Sequence, residues 1–160
     1  MELRHATAAD LDAIAAVEAA CFPAAEAASR RDLAARLAVY PDRFWLLLDA
    51  GRLVSFVNGM TTDLPDLTDE MYANAALHDP NGRWQMIFGV DTIPDYRRRG
   101  CAGRVLRQAI GDARREGRAG LVLTCKDRLA HYYASFGFAD EGVCSSQHGG
   151  AVWRQMRLTF

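Results

Sequence analysis

The sequence predicts an α/β fold in which helices flank a central mixed sheet. Short apolar runs typical of strands alternate with segments whose apolar residues recur at helical spacing. From Trp84 to Cys125 a strand, a helix and a strand follow one another, and such a crossover predicts that the two strands are parallel. The chain has 160 residues, half of them apolar, so we predict a single domain over residues 1–160.

The N-terminal half begins with a strand and two helices, followed by a hairpin. Pro23 ends the first helix, because proline disfavours helical geometry in the residue before it. The short turn Ala50-Gly51 joins two apolar runs, which is a hairpin pattern. The predicted elements are a strand at 2–5, a helix that includes 11–18 and is broken by CFP at 21–23, a helix at 29–39, and strands at 44–49 and 52–60.

The C-terminal half begins with a polar segment. Residues 61–83 are rich in Asp, Thr, Pro and Asn and predict a long loop with a helical turn near 70–76. Gly117 is expected to end the long helix that follows. The remaining predicted elements are a strand at 84–92, a helix at 101–116, a buried strand at 120–125, a short helix at 129–135, a strand opening at 136–138 and a last strand at 151–160.

Composition argues against several classes of protein. Nineteen Lys and Arg stand against 20 Asp and Glu, so no overall field favours nucleic acid or an anionic membrane. The four cysteines are widely spaced without a Cys-x-x-Cys pair, so we expect free thiols and no metal. The N-terminus lacks the apolar core of a signal peptide, and no stretch is long and apolar enough to span a membrane. We therefore expect a cytoplasmic protein.

The stretch VDTIPDYRRRGCAG, residues 90–103, predicts an anion site at a helix N-terminus. That end of a helix has unsatisfied N–H groups and a partial positive charge. Small residues at 100, 102 and 103 leave the backbone accessible, and Arg97 to Arg99 add local charge, so the stretch predicts a diphosphate cradle. The alternative is a solvated basic turn. The glycine spacing fits neither a P-loop nor a dinucleotide-binding loop.

Two motifs carry a resemblance to a known family. Residues 97–102, RRRGCA, match the Arg/Gln-x-x-Gly-x-Gly/Ala signature of the GNAT superfamily of acyl-CoA-dependent N-acetyltransferases. Residues 132–138, YYASFGF, resemble its later Tyr-x-x-x-Gly-Phe element. ALHDPNGRWQMIFGV, CFPAAEAAS and TCKDRLAHYYASFGF also resemble the arylalkylamine (serotonin-type) N-acetyltransferase branch, most closely its microbial members.

The resemblance implies a GNAT-type fold with splayed fourth and fifth strands and acetyl-CoA as co-substrate. Backbone groups of Val90, Asp91 and Thr92 would contact the pantetheine arm. The residues implied to hold the diphosphate are Arg98, Arg99, Gly100, Cys101, Ala102 and Gly103.

The resemblance also implies a general acid and leaves the general base open. Tyr133 matches the tyrosine that protonates the sulfur of coenzyme A, or else it packs the short helix against the sheet. Animal arylalkylamine enzymes relay the amine proton through two histidines, where this chain has Met86 and Phe88. Substitute bases are His148, Asp91 and His78, each with a structural alternative: an exposed loop histidine, a helix cap and a residue that orders the long loop.

The implied acceptor pocket combines Phe22 and Pro23 with Met86, Phe88 and the 61–83 loop. Acidic residues of that loop would attract an amine or simply be solvated; they are Asp63, Asp66, Asp69 and Glu70. We expect acetyl transfer to a primary amine (an arylalkylamine, diamine or polyamine) in a ternary complex, by a monomer or homodimer. The alternative is a non-catalytic sensor that binds coenzyme A or an amine.

Overall fold

The computed structural model describes residues 1–160, which divide between two compact units, 1–59 with 89–109 and 60–88 with 110–160. The strands are β1 (Glu2–His5), β2 (Phe44–Asp49), β3 (Arg52–Asn58), β4 (Thr61–Thr62), β5 (Trp84–Ile87), β6 (Gly89–Thr92), β7 (Gly120–Cys125), β8 (Ala139–Val143) and β9 (Arg154–Thr159). The α-helices are α1 (Leu11–Cys21), α2 (Arg30–Val39), α3 (Asp69–Ala73), α4 (Cys101–Arg115) and α5 (Ala130–Ala134). None of these helices has the combined length and apolar character that crossing a bilayer requires.

The first unit contains an antiparallel sheet in the order β1-β2-β3-β6. The β2–β3 hairpin forms as predicted, and Ala50 and Gly51 have φ values of 49° and 82°, as a tight turn matching the strand twist requires. Helix α1 packs on β3 and β6 and buries Ile14 and Val17. Ser29 caps α2 by accepting a hydrogen bond from Asp32 N at 3.1 Å.

The second unit contains a mixed sheet in the order β4-β5-β7-β9-β8. Strands β5 and β7 are parallel, which confirms the crossover predicted between Trp84 and Cys125. Strand β7 is an almost continuous apolar run and is buried along most of its length, as expected for a strand covered on both faces. Gly117 has a φ of 76° just beyond α4, in agreement with its predicted role as a helix stop.

The α/β class is confirmed, but two details of the prediction are wrong. The single strand predicted at 84–92 is divided at Phe88 into β5 and β6, which belong to different sheets. The apolar pattern runs through this division, so periodicity alone does not reveal it. The second detail is β4, which lies in the segment predicted as a loop, whereas the helical turn predicted near 70–76 is present as α3. Asp79 N donates to Thr61 O at 2.8 Å and so connects the end of this segment to β4.

Candidate active site

The loop before α4 turns a series of backbone amides toward solvent. Arg98 and Gly100 have positive φ values of 62° and 76°, and this conformation is uncommon for a residue other than glycine. The first backbone hydrogen bond of the helix runs from Arg104 N to Gly100 O at 3.0 Å. No acceptor in the protein receives the amide hydrogens between Arg98 and Gly103. Such a run of open amides at a helix N-terminus is suited to an anion.

The arginines of this loop are held in defined positions. The Arg99 guanidinium lies 4.9 Å from the centroid of the Tyr96 ring, and the Tyr96 hydroxyl donates to Asp49 Oδ2 at 2.6 Å. Arg97 Nε donates to Thr92 O at 3.1 Å. These contacts attach the loop to β2 and β6, so the predicted cradle residues form one positively charged turn.

Strand β6 presents one backbone edge that no other strand covers, since β3 is its only strand partner. Ser55 Oγ donates to Asp91 O at 2.6 Å, and Ile93 N donates to Val54 O at 3.0 Å, so these residues face β3. Because backbone groups alternate along a strand, Val90 and Thr92 face the open edge. The backbone N–H and C=O groups of Asp91 therefore point away from that edge. Of the three residues predicted to contact a pantetheine arm, Val90 and Thr92 direct backbone groups toward it.

The side chain of Asp91 points to the helical layer and is fully buried. Burial raises the pKa of its carboxyl group, and the nearby Glu18 carboxyl raises it further. Sequence reasoning missed Glu18, which lies on the buried face of α1. The sequence contains one indication of its role, because Glu18 is an acidic residue in the apolar stripe of an amphipathic helix.

Tyr133 lies on α5 with 8% of its surface exposed. Its ring makes edge-to-face contacts with Phe138, at a centroid distance of 6.3 Å, and with Tyr132, at 5.1 Å. Tyr132 is 39% exposed. The predicted packing role of Tyr133 is therefore present, and it is compatible with a hydroxyl group that also acts as an acid.

An aromatic cluster forms in the second unit from Tyr72, Phe88, His148 and Trp153. The Tyr72 and His148 rings stack at 4.7 Å, Phe88 lies 4.9 Å from Tyr72, and Trp153 lies 6.0 Å from His148. All four side chains are partly exposed. Sequence reasoning selected Phe88 and His148 separately and missed the other two, because the four residues come from three distant segments.

Hydrogen bonds fix the segments that carry the aromatic cluster. Asp69 accepts from Ser146 Oγ at 2.5 Å and from Gln147 N at 3.0 Å. Trp153 Nε1 donates to His148 O at 2.8 Å, and the hydroxyl groups of Tyr72 and Thr124 lie 3.1 Å apart. The cluster is therefore preorganised.

The acidic residues of the 61–83 loop largely serve local contacts. Asp66 accepts from Arg157 Nη2 at 2.6 Å, and Asp63 accepts from Arg83 N at 3.1 Å. His78 Nδ1 accepts from Thr61 N at 3.1 Å, which agrees with the structural alternative for His78, the ordering of the long loop. Glu70 is exposed at the start of α3.

The other predicted pocket residues differ in exposure. Met86 is completely buried, whereas Phe22 is half-buried and Pro23 is exposed. Pro23 O accepts hydrogen bonds from Glu26 N and Ala27 N, both at 2.9 Å. The segment between α1 and α2 is therefore a compact turn that carries Phe22 and Pro23.

The four cysteines are free thiols. Burial raises the pKa of Cys125 to about 11, and burial also raises that of Cys21. Cys101 is buried. No group of three or more His, Cys, Asp or Glu side chains is arranged to hold a metal ion.

The sequence matches the acetyltransferase (GNAT) domain family over residues 2–140. Among curated proteins it is similar to serotonin N-acetyltransferase of Mesocricetus auratus, with 29% identity over 115 residues that make up 70% of this chain and 53% of the relative. The chain thus spans about half the length of that relative.

Solved structures share the fold. The GphF GNAT-like decarboxylase in complex with isobutyryl-CoA superposes with a TM-score of 0.85 and 24% identity over 99% of both chains. The loading GNATL domain of CurA from Lyngbya majuscula also gives a TM-score of 0.85, with 15% identity over 99% of this chain and 96% of that one. At these identities the likeness extends to the fold alone.

Proposed function

The chain belongs to the GNAT acetyltransferase family, and on that premise we propose that it transfers the acetyl group of acetyl-CoA to a primary amine. Within the family we assign it to the arylalkylamine branch, in its microbial form. The observation that carries the proposal is the run of amides between Arg98 and Gly103 that have no acceptor in the protein.

The cradle and the neighbouring strand edge would hold coenzyme A. The amides from Arg98 to Gly103 receive the diphosphate, with Arg98 and Arg99 adding charge. Backbone groups of Val90 face the open edge of β6 and are suited to the amides of a pantetheine arm. Bound acetyl-CoA supplies the acetyl group as an activated thioester.

The chemistry requires a neutral amine, an oxyanion contact and a proton for the leaving sulfur. The amine nitrogen forms a bond to the thioester carbon while the carbon–sulfur bond breaks. The N–H group of Val90 is suited to the oxyanion, and Tyr133 gives its proton to the thiolate. The Cys125 thiol has a pKa of about 11 and is a poor nucleophile near neutral pH, which favours direct transfer over an acyl-enzyme.

The aromatic cluster favours an arylalkylamine over a polyamine. Its rings offer faces for an aromatic group and for a cation. A polyamine would need several available carboxylates, but Asp63, Asp66 and Asp69 already accept hydrogen bonds within the protein.

A thiol-release assay with acetyl-CoA and a panel of arylalkylamines, diamines and polyamines tests the proposal. We expect turnover with arylalkylamines and formation of the acetylated amine. Coenzyme A binding without turnover of any amine would favour the sensor alternative. The observation that supports this alternative is the presence of Met86 and Phe88 where animal arylalkylamine enzymes have relay histidines. Absence of coenzyme A binding would refute both the transferase and a coenzyme A sensor, and would leave an amine-binding sensor.

A further inference from the structure

Two carboxyl groups face each other inside the first unit. Asp91, on β6, is 0% exposed, and Glu18, on α1, is 5% exposed. Glu18 Oε1 and both carboxyl oxygens of Asp91 are buried and have no donor in the protein. Two carboxylates repel each other and cannot form a hydrogen bond unless one carries a proton. A proton shared between the two groups would remove this repulsion and give one of these oxygens a hydrogen bond.

The charges around the pair leave one negative charge in excess. Helix α1 contributes Cys21 beside Glu18, and α2 contributes Arg36. Arg36 Nη1 donates to Asn58 Oδ1 at 3.0 Å, which holds the guanidinium on β3. Because two carboxylates face one cation, uptake of a single proton is favourable. Burial raises the pKa of Asp91 and so also favours the protonated form.

The pair lies beside the two segments that the proposed reaction uses. Asp91 is the neighbour of Val90 on β6, and Glu18 Oε2 accepts from Ala28 N at 2.9 Å in the turn that follows Phe22. A side chain at Gly89 would press on the pair, since a Cβ there would lie 2.9 Å from Asp91 Oδ1 and 3.8 Å from Glu18 Oε1. Gly89 is partly exposed and has no side chain that would cover the pair.

We propose that the Glu18–Asp91 pair accepts the proton of the attacking ammonium group, in place of histidines at positions 86 and 88. This rests on the proposed function. The ionised pair takes one proton from the ammonium, and the neutral nitrogen then attacks the thioester carbon. Its second proton passes to the departing sulfur through Tyr133, and the pair returns its proton to solvent.

The test is the pH dependence of kcat and kcat/KM in the wild type and in Asp91→Asn, measured with two amines of different pKa. In the wild type, we expect the rate to fall on the acidic side of the pH profile, which we call the acidic limb. If this limb lies at the same pH for both amines, the group that titrates is the pair and not the substrate. Asparagine keeps the size of the side chain and donates to Glu18 but cannot take up a proton. We expect Asp91→Asn to lose this limb and at least about 100-fold in kcat, with unchanged acetyl-CoA affinity.

Two further variants separate proton uptake from structural damage. Glu18→Gln retains an oxygen for Ala28 N and should lose the same limb. Asp42→Asn makes the same chemical change at an exposed carboxyl outside the proposed site and should match the wild type. If Asp91→Asn keeps both the limb and the rate, the inference is overturned while the proposed function stands. If the wild type turns over no amine, both fail.

Thermal unfolding against pH provides a readout that needs no turnover. A carboxyl group whose pKa is raised in the folded state binds more protons there than in the unfolded chain. Its stabilising effect is therefore lost as pH rises from about 4 through the folded-state pKa. We expect Asp91→Asn to gain in Tm relative to the wild type as pH rises. Parallel curves would mean that the pair holds no proton and would overturn the inference.

Discussion

The imidazole ring of His148 stacks on the phenol ring of Tyr72, with the ring centroids 4.7 Å apart and the planes inclined by 17°. Phe88 adds a third ring, 4.9 Å from Tyr72. These residues come from the end of β5, from α3 and from the turn before β9, and hydrogen bonds to Asp69 fix that turn. These partly exposed rings are suited to contact with an aromatic group, which is the basis for the arylalkylamine in the proposed function.

Replacing Tyr72 by leucine should weaken binding of aromatic amines selectively. An aromatic contact contributes about 0.5–1.5 kcal/mol, so we expect KM for an arylalkylamine to rise between about 2-fold and about 10-fold. KM for an aliphatic diamine should change little. Tyr72→Phe keeps the ring and removes the hydroxyl group that contacts Thr124, so it serves as the control. Equal changes for both amines would contradict a role for the cluster in recognition.

Replacing Gly100 by glutamate should weaken coenzyme A binding while the protein stays folded. No atom lies within 4 Å of a Cβ at this position, so the side chain fits and adds a negative charge to the cradle. Binding is measured by calorimetry, and we expect at least about a 10-fold loss of affinity, since charge-assisted hydrogen bonds contribute about 1.5–3 kcal/mol.

Gly117→Glu is the matched control for that change. Gly117 has the same φ of 76° and equally open surroundings, but it lies beyond the other end of α4. Both variants introduce the same backbone strain and the same charge, so only Gly100→Glu should lose affinity. An equal loss in the two variants would point to a general effect and not to the cradle.

Replacing Tyr133 by phenylalanine should lower kcat more than it lowers acetyl-CoA affinity. The variant keeps the ring that packs on Phe138 and removes only the hydroxyl group. A positioned general acid contributes about 100-fold or more, so kcat should fall by about that factor. Tyr132→Phe makes the same change at the neighbouring exposed ring and should leave kcat close to the wild-type value. An unchanged kcat in Tyr133→Phe would remove the acid role.

The sequence predicted the elements that depend on local patterns. The hairpin at Ala50-Gly51 and the end of α4 at Gly117 each follow from turn residues. The start of α4 at Cys101 also agrees with the prediction, whereas the binding of a diphosphate there stays a prediction. The division of a strand at Phe88 was not predictable, because it depends on which partner each half finds in a sheet.

Tertiary contacts explain what else the sequence left out. Glu18 and Asp91 lie 73 positions apart, and only the packing of α1 on β6 brings them together. Side chains alternate along a strand, so Asp91 faces away from Val90 and Thr92. What lies on that other face depends on helix packing, and so the acidic partner became apparent only in the structure.

Protonation of Asp10 should destabilise the protein in acid. Arg4 donates to its carboxyl group through two hydrogen bonds of 2.9 Å, and Thr7 N donates at 2.8 Å. The Arg4 bonds are the main cause that lowers the pKa of Asp10 to about 2, against the opposing effect of burial. The unfolded chain therefore takes up a proton at higher pH than the folded one. The stabilisation is complete above about pH 5 and is lost as pH falls toward 2.

Asp10→Asn measures this contribution. Arg4 is partly exposed, so we discount the full pKa difference and expect the free energy of unfolding to fall by about 1–2 kcal/mol near pH 7. The loss should shrink toward zero near pH 2, where the wild-type carboxyl group is itself protonated. Urea denaturation at a series of pH values provides the measurement. Asp12→Asn is the control, because the Asp12–Arg30 pair is highly exposed and should contribute little at any pH. A loss of the same size at neutral and acidic pH would mean that packing, and not the charge of Asp10, stabilises this corner of the first unit.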